Sequence, residues 1–262
     1  MNTGRLSMLL LIATLSASCG ESAPTNESGE NMAKPVANDT TVSDSELAGN
    51  PFRKSWDTPF GVPPFAEIST DDYLPAVKKA LQELRTDVGA IVSNTDAPTF
   101  NNTILALEIT GDSLNQVAST FSNITGTDTN DELRALQTQI YPMLTRETDA
   151  IALNAVLYGR VKAIFDARES LNLGEQEARL LELTHRSFVR AGAAFAPEVK
   201  TQIAAINEEI SKLTTQFAQN LLLETKAFKL VLKTEVETAG LSGDFKAAIY
   251  DAEQKAWVVG LN

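Results

Sequence analysis

Ser69-Thr70-Asp71-Asp72-Tyr73-Leu74-Pro75-Ala76-Val77 is the stretch on which the fold turns. Ser69 and Thr70 carry oxygens that can cap exposed backbone N–H groups, and Asp71 and Asp72 bring negative charge to the positive end of a helix dipole. A helix therefore starts here. Pro75 lacks an N–H and is tolerated only in a first turn, which sets the start close to Asp71. Downstream, Tyr73, Val77, Leu81, Leu84, Val88 and Ile91 recur at steps of three and four, forming one apolar stripe.

The same period continues outward. Thr99 is placed to cap a second helix carrying Ile104, Leu107, Leu114, Val117 and Phe121, ending before Gly126. A third begins near Asn130 or Asp131, with Leu133, Leu136, Ile140 and Leu144, and Pro142 within it predicts a kink. Asn154 caps a fourth with Leu157, Val161, Ile164 and Phe165. Gly174 to Arg190 forms a fifth, stopped by Gly192. Pro197 fits the first turn of the longest helix, whose Val199, Ile203, Ile206, Ile210, Leu213, Phe217 and Asn220 keep three-four spacing and are expected to face other helices. Successive helices joined by short turns predict a mostly α fold, an antiparallel helical bundle. Towards the C-terminus, Phe228, Leu230 and Leu232 alternate with Lys229, Val231 and Lys233, and Trp257-Val258-Val259 is a second apolar run. With a helix from about Asp244 to Lys255 between them, these two strands predict a short β-hairpin.

Asn50-Pro51-Phe52, Trp56-Asp57-Thr58-Pro59-Phe60-Gly61-Val62-Pro63-Pro64-Phe65, Tyr73-Leu74-Pro75-Ala76 and Pro98-Thr99-Phe100-Asn101-Asn102-Thr103 stand in this order along the chain. Together they resemble the opening of the zinc peptidases of the thimet oligopeptidase family, in particular its bacterial peptidyl-dipeptidase and oligopeptidase A branches. Phe121 to Asn130, Phe188-Val189-Arg190-Ala191-Gly192-Ala193 and Thr215-Gln216-Phe217-Ala218-Gln219-Asn220 are similar to further landmarks of the family's N-terminal helical region, so the resemblance covers Asn50 to Leu261. It implies hydrolysis of short peptides by the complete enzyme, with zinc held on a His-Glu-x-x-His helix in the family's C-terminal half. These residues contain no such helix: the only histidine, His185, is followed by Arg186-Ser187-Phe188-Val189. The expectation is a truncated part of a larger all-α metallopeptidase fold, residues 50–262, with the catalytic domain absent and a missing catalytic half as a possible partner.

A catalytic zinc needs about three protein ligands and an open position, and one histidine does not supply them, so no catalytic and no metal residue is assigned. Asp128, Asn130 and Glu132 have the alternate spacing of a calcium loop, but Leu133 stands where the turn glycine belongs and Gln139 where the bidentate acid belongs. Asn130 and Asp131 read instead as helix caps. The acids of Glu175-Gln176-Glu177 and Asn207-Glu208-Glu209 are read as solvated helix faces.

Of 262 residues, 43% are hydrophobic, enough for a buried core. Net charge is −12, with 22 basic residues scattered among 34 acidic ones, which excludes a nucleic-acid partner. Residues 1–19 have the layout of an export signal, with Arg5 in the charged part, Met8 to Leu15 apolar and Ser16-Ala17-Ser18 before Cys19. Leu15-Ser16-Ala17-Ser18-Cys19 resembles a bacterial lipoprotein cleavage box, with the leucine one position further from the cysteine than usual, so Cys19 is assigned as the lipidation site and the membrane as a partner through that anchor. Gly20 follows where an aspartate would favour the inner membrane, so the expected location is the outer membrane or a periplasm-facing membrane surface. Residues 20–49, rich in Ser, Thr, Asn, Glu and Ala, read as a disordered tether. Three functions stay open: a fragment of a zinc-dependent peptidyl-dipeptidase, inactive alone; a non-catalytic lipid-anchored helical binding or scaffold protein; and one half of a split peptidase.

Overall fold

A computed structural model describes residues 42–261 apart from 44 and 55. Cys19, the export signal and most of the expected tether lie outside the described residues. The chain divides into two compact units, the first ending at Glu208 and the second comprising Glu209–Asn262.

The first unit is built on α1, Thr70–Ser93, followed by α2 (Asp112–Thr127), α3 (Asp131–Ala152), α4 (Ala155–Asp166) and α5 (Glu175–Ala191). Every member of the Tyr73 to Ile91 stripe is buried. Against it pack Leu114, Val117 and Phe121 of α2, Leu133 and Ile140 of α3, and Leu157, Val161 and Ile164 of α4, with Leu181 and Phe188 of α5 in the same core. Asp72 accepts from the backbone N–H of Ser69 at 2.7 Å, closing the helix start that the sequence predicts. Pro75 lies within the helix, a turn beyond the first, and the carbonyl that loses a partner is that of Asp71, one turn back.

The proline-rich opening is fastened to this start. Asn50 accepts from the N–H of Phe52 at 3.0 Å, capping a 3₁₀ turn over Pro51–Arg53, and its amide donates to the carbonyl of Asp72 at 2.9 Å. The Trp56 indole N–H donates to the carbonyl of Pro51 at 3.0 Å. The rings of Phe52, Tyr73, Phe121 and Tyr141 then follow one another at centroid spacings of 5.6, 5.2 and 5.8 Å, carrying the opening segment's contact through α1 and α2 to α3. Packing begins ahead of Asn50: residues 45–49 form a turn and Leu47 is buried, only 1% exposed.

Three expectations need correction. The second predicted helix is interrupted. Thr99 caps a π-wound turn, Phe100–Leu105, that passes into Ala106–Glu108, and the chain then reverses at Gly111 (φ +79°) before α2. The Thr110 hydroxyl takes the carbonyl of Leu107 at 2.8 Å, ending the first piece. Apolar spacing hides the break, because Ile104, Leu107, Leu114 and Phe121 are buried on both sides of it. Second, the stripe of the longest helix, α6 (Pro197–Ala227), is not covered: Ile206, Ile210, Leu213 and Phe217 are 55–68% exposed. Third, the C-terminal sheet has three strands. In the second unit β1 (Leu230–Leu232) and β2 (Tyr250–Asp251) flank β3 (Ala256–Val259), both antiparallel to it, with Leu232 and Tyr250 both opposite Trp257. The intervening helix, α7 (Gly243–Ile249), stops earlier than expected, because the Asp251 carboxylate accepts from the N–H groups of Glu253 and Gln254 and folds β2 back onto β3.

Candidate functional site

Three groups of titratable and polar side chains in the first unit are held by contacts between different helices. Arg160 of α4 is buried, and its guanidinium donates to the carbonyls of Asn94 and Asp96 at 2.8 and 3.2 Å, the Asn102 amide oxygen at 3.0 Å and the Thr103 hydroxyl at 3.2 Å. It is a clamp that ties the loop between α1 and Phe100 to α4. With four N–H groups spent on protein oxygens, it has little left for a ligand.

On α3, Glu147 and Asp149 are both buried but point to different neighbours, because residues two apart on a helix diverge by about 200°. Glu147 pairs with Arg85 of α1 at 2.5 Å. Asp149 accepts from the side-chain amide of Asn207 on α6 at 2.8 Å, while its second oxygen has no hydrogen-bond partner. Burial pushes its pKa above the usual aspartate value, and the Asn207 bond only partly offsets this. Arg146 adds an ion pair to Glu208 at 3.2 Å. The two acids do not converge, so they form no acid–base dyad.

His185 of α5 lies flat on the Phe165 ring, 3.8 Å between centroids and 4° between planes, with Tyr158 stacked further out at 6.1 Å. The Arg168 guanidinium also lies against Phe165, 4.4 Å from its centroid. Burial holds the imidazole below the ordinary histidine pKa; Lys162 and Arg168 act in the same direction and Asp166 opposes them. His185 is thus a neutral packing ring at pH 7. Asn130, weighed above as a calcium-loop residue, caps α3 by accepting from the N–H of Leu133 at 2.8 Å. Among the described residues no three His, Cys, Asp or Glu side chains gather as a metal site. Sequence reasoning missed Arg160, Glu147 and Asp149, whose partners lie 57 to 66 residues away and leave no local pattern.

About three quarters of the chain is similar in sequence to dipeptidyl carboxypeptidases and oligopeptidases A, the branches of the thimet oligopeptidase family that its opening segment resembles. Over 193 residues, 74% of the chain, it is 40% identical to the dipeptidyl carboxypeptidase of Escherichia coli (strain K12). Over 196 residues it is 37% identical to the dipeptidyl carboxypeptidase of Salmonella typhimurium, and over 201 residues 27% identical to the oligopeptidase A of Haemophilus influenzae. The chain spans only 28–29% of the length of these relatives. No protein-family profile matches it. The zinc that this family implies does not fit the residues present: the sole histidine is stacked on a phenylalanine, and no group of three suitable ligands exists among the described residues.

Proposed function

We propose that these residues are the N-terminal helical portion of a peptidyl-dipeptidase or oligopeptidase acting on short peptides, contributing a wall of the substrate channel while the zinc ligands and the catalytic acid belong to a different part of the enzyme. The observation that carries this reading is the 40% identity over 193 residues, matched to only 28% of a dipeptidyl carboxypeptidase, in a region without a ligand set of its own. By itself the chain hydrolyses no peptide. The test is a chimera in which residues 50–261 replace the matched region of the Escherichia coli enzyme. Release of dipeptides by a folded, zinc-loaded chimera is the expected result, and a folded, zinc-loaded but inert chimera would overturn the reading. Residues 20–262 alone should bind no stoichiometric zinc by metal analysis.

We further propose that Cys19 carries a lipid and holds the protein at a periplasm-facing membrane surface, most simply the outer membrane. The cleavage-box sequence supports this, and no helix among the described residues is long and apolar enough to cross a bilayer. A second reading, a lipid-anchored helical binding protein without catalysis, is favoured by one observation, the exposed apolar stripe of α6.

A further inference from the structure

Asp149 lies inside the first unit, 8% exposed, and is held by one hydrogen bond. Its Oδ1 accepts from the Asn207 amide at 2.8 Å, while its Oδ2 is shut off from solvent and has no partner. A charged carboxylate held in this way is costly, because a buried ion needs donors for both oxygens or an opposite charge beside it. Among the described residues no cation pairs with it. Arg85 of α1 is paired with Glu147, Arg146 of α3 with Glu208 of α6, and Arg179 and Arg186 of α5 with Glu182. His185 of α5 is stacked on Phe165, and Lys200 stands two turns, ~10 Å, from Asn207 along α6. The contact between α3 and α6 therefore contains an acid that no positive charge balances. Asp149 and Asn207 both belong to the first unit, so chain packed over its surface would deepen the burial without bringing a donor to Oδ2.

We propose that Asp149 and Asn207 form a pH-sensitive latch between α3 and α6, tight when Asp149 carries a proton and weakened when it does not. A carboxylate only accepts, so it takes the amide N–H on one oxygen and leaves the other unanswered. A carboxylic acid both accepts and donates. The proton placed on Oδ2 turns the orphaned oxygen into a donor for the Asn207 amide oxygen, and acid and amide then close on each other by two bonds. The titration of Asp149 agrees in direction, since burial pushes its pKa up and the Asn207 bond only partly pulls it back. With the folded pKa above the unfolded one, the latch's contribution is fully present below the ordinary aspartate value of about 3.9 and is lost as pH rises through the folded pKa. Arg85 and Glu147 keep α3 on α1 throughout, so the response is confined to the α6 side. The latch is independent of the peptidase reading.

Carboxyl carbon-13 NMR on residues 20–262, which hold every described residue, with the Asp149 signal assigned through its backbone, reads the titration directly. A midpoint above the ordinary aspartate value is expected, and one at or below about 3.9 overturns the proposal. Urea unfolding from pH 4 to pH 8 then compares the parent with Asp149→Asn, whose amide copies the protonated acid at every pH. The unfolding constant of the parent relative to the variant should rise with pH, by up to about tenfold per unit until the folded pKa is passed. Hydrogen exchange places the effect: protection of amides 203–208, corrected for intrinsic rate, should fall at least about threefold relative to those of α1 between pH 4 and pH 8 in the parent and stay level in Asp149→Asn. Asn207→Leu, which removes the amide, should bring protection at pH 4 down to the parent's level at pH 8, and it carries the test if Asp149→Asn does not fold. Protection around Asn207 that ignores pH in the parent, that falls equally in Asp149→Asn, or that Asn207→Leu leaves high at pH 4 would overturn the latch.

Discussion

Replacing Gly192 with alanine should be among the most damaging single-methyl changes available in this protein. Gly192 ends α5 in the left-handed region at φ +95°, and it lets the N–H of Ala193 reach back to the carbonyl of Phe188 at 3.0 Å and its own N–H reach Val189 at 3.1 Å. An alanine in that conformation costs about 1–2 kcal/mol in backbone strain. The added methyl also has nowhere to go: it would sit 2.8 Å from a terminal carbon of Ile203 and 2.9 Å from the Phe195 ring. Displacing them costs a further 1 kcal/mol or so, at the low end for overpacking because both neighbours are side-chain atoms that can shift. The expected total is about 2–3 kcal/mol, read as a fall in the urea midpoint at unchanged slope. Melting temperature should fall by roughly 4–12 °C for a chain of this size. A second substitution, Phe195→Ala, should return only part of the packing share, because the contact with Ile203 remains, and none of the strain. A Gly192→Ala protein within about 0.5 kcal/mol of the parent would refute the reasoning.

Other outcomes follow from the same structure. Arg160→Met strips the partners from two loop carbonyls and two side-chain oxygens and should cost about 3 kcal/mol or more in denaturant unfolding, and Arg160→Lys should recover little, since an ammonium cannot fork to four oxygens. His185 has a folded pKa below its unfolded value of 6.5, so the folded state resists the proton. Its contribution is present above pH 6.5 and is lost as pH falls from there through the folded pKa, and melting curves across that window should flatten in His185→Phe. Cys19→Ser should move the protein from the membrane fraction into soluble extract, and a fully membrane-bound variant would exclude the lipid assignment.

The apolar half of the fold is legible because a helix imprints its period on the residues it buries, as the Tyr73 to Ile91 stripe and the caps Asn130 and Asn154 show. Periodicity names a face, however, and not what covers it, and on α6 that gap produced the wrong expectation. The break at Gly111 was illegible for a related reason, since the helical phase resumes beyond it. Tyr250–Asp251 is too short to alternate, so β2 has no signature except the turn-forming Asp251. The Arg160 clamp is invisible because each of its bonds joins residues more than fifty positions apart.

The divergence of Glu147 and Asp149 has a mechanical consequence. One acid faces Arg85 on α1 and the other faces Asn207 on α6, so α3 is keyed on two sides at nearly the same height. Sliding the helix by one turn, or spinning it about its axis, withdraws both carboxylates at once and leaves them charged in an apolar setting. A single-residue deletion between Asn130 and Arg146 would impose such a rotation, about 100° on everything that follows, and the helix could not relax to rescue one contact without losing the other. Surface loops of this chain can change length, but α3 behaves as a bolt that fits in one orientation.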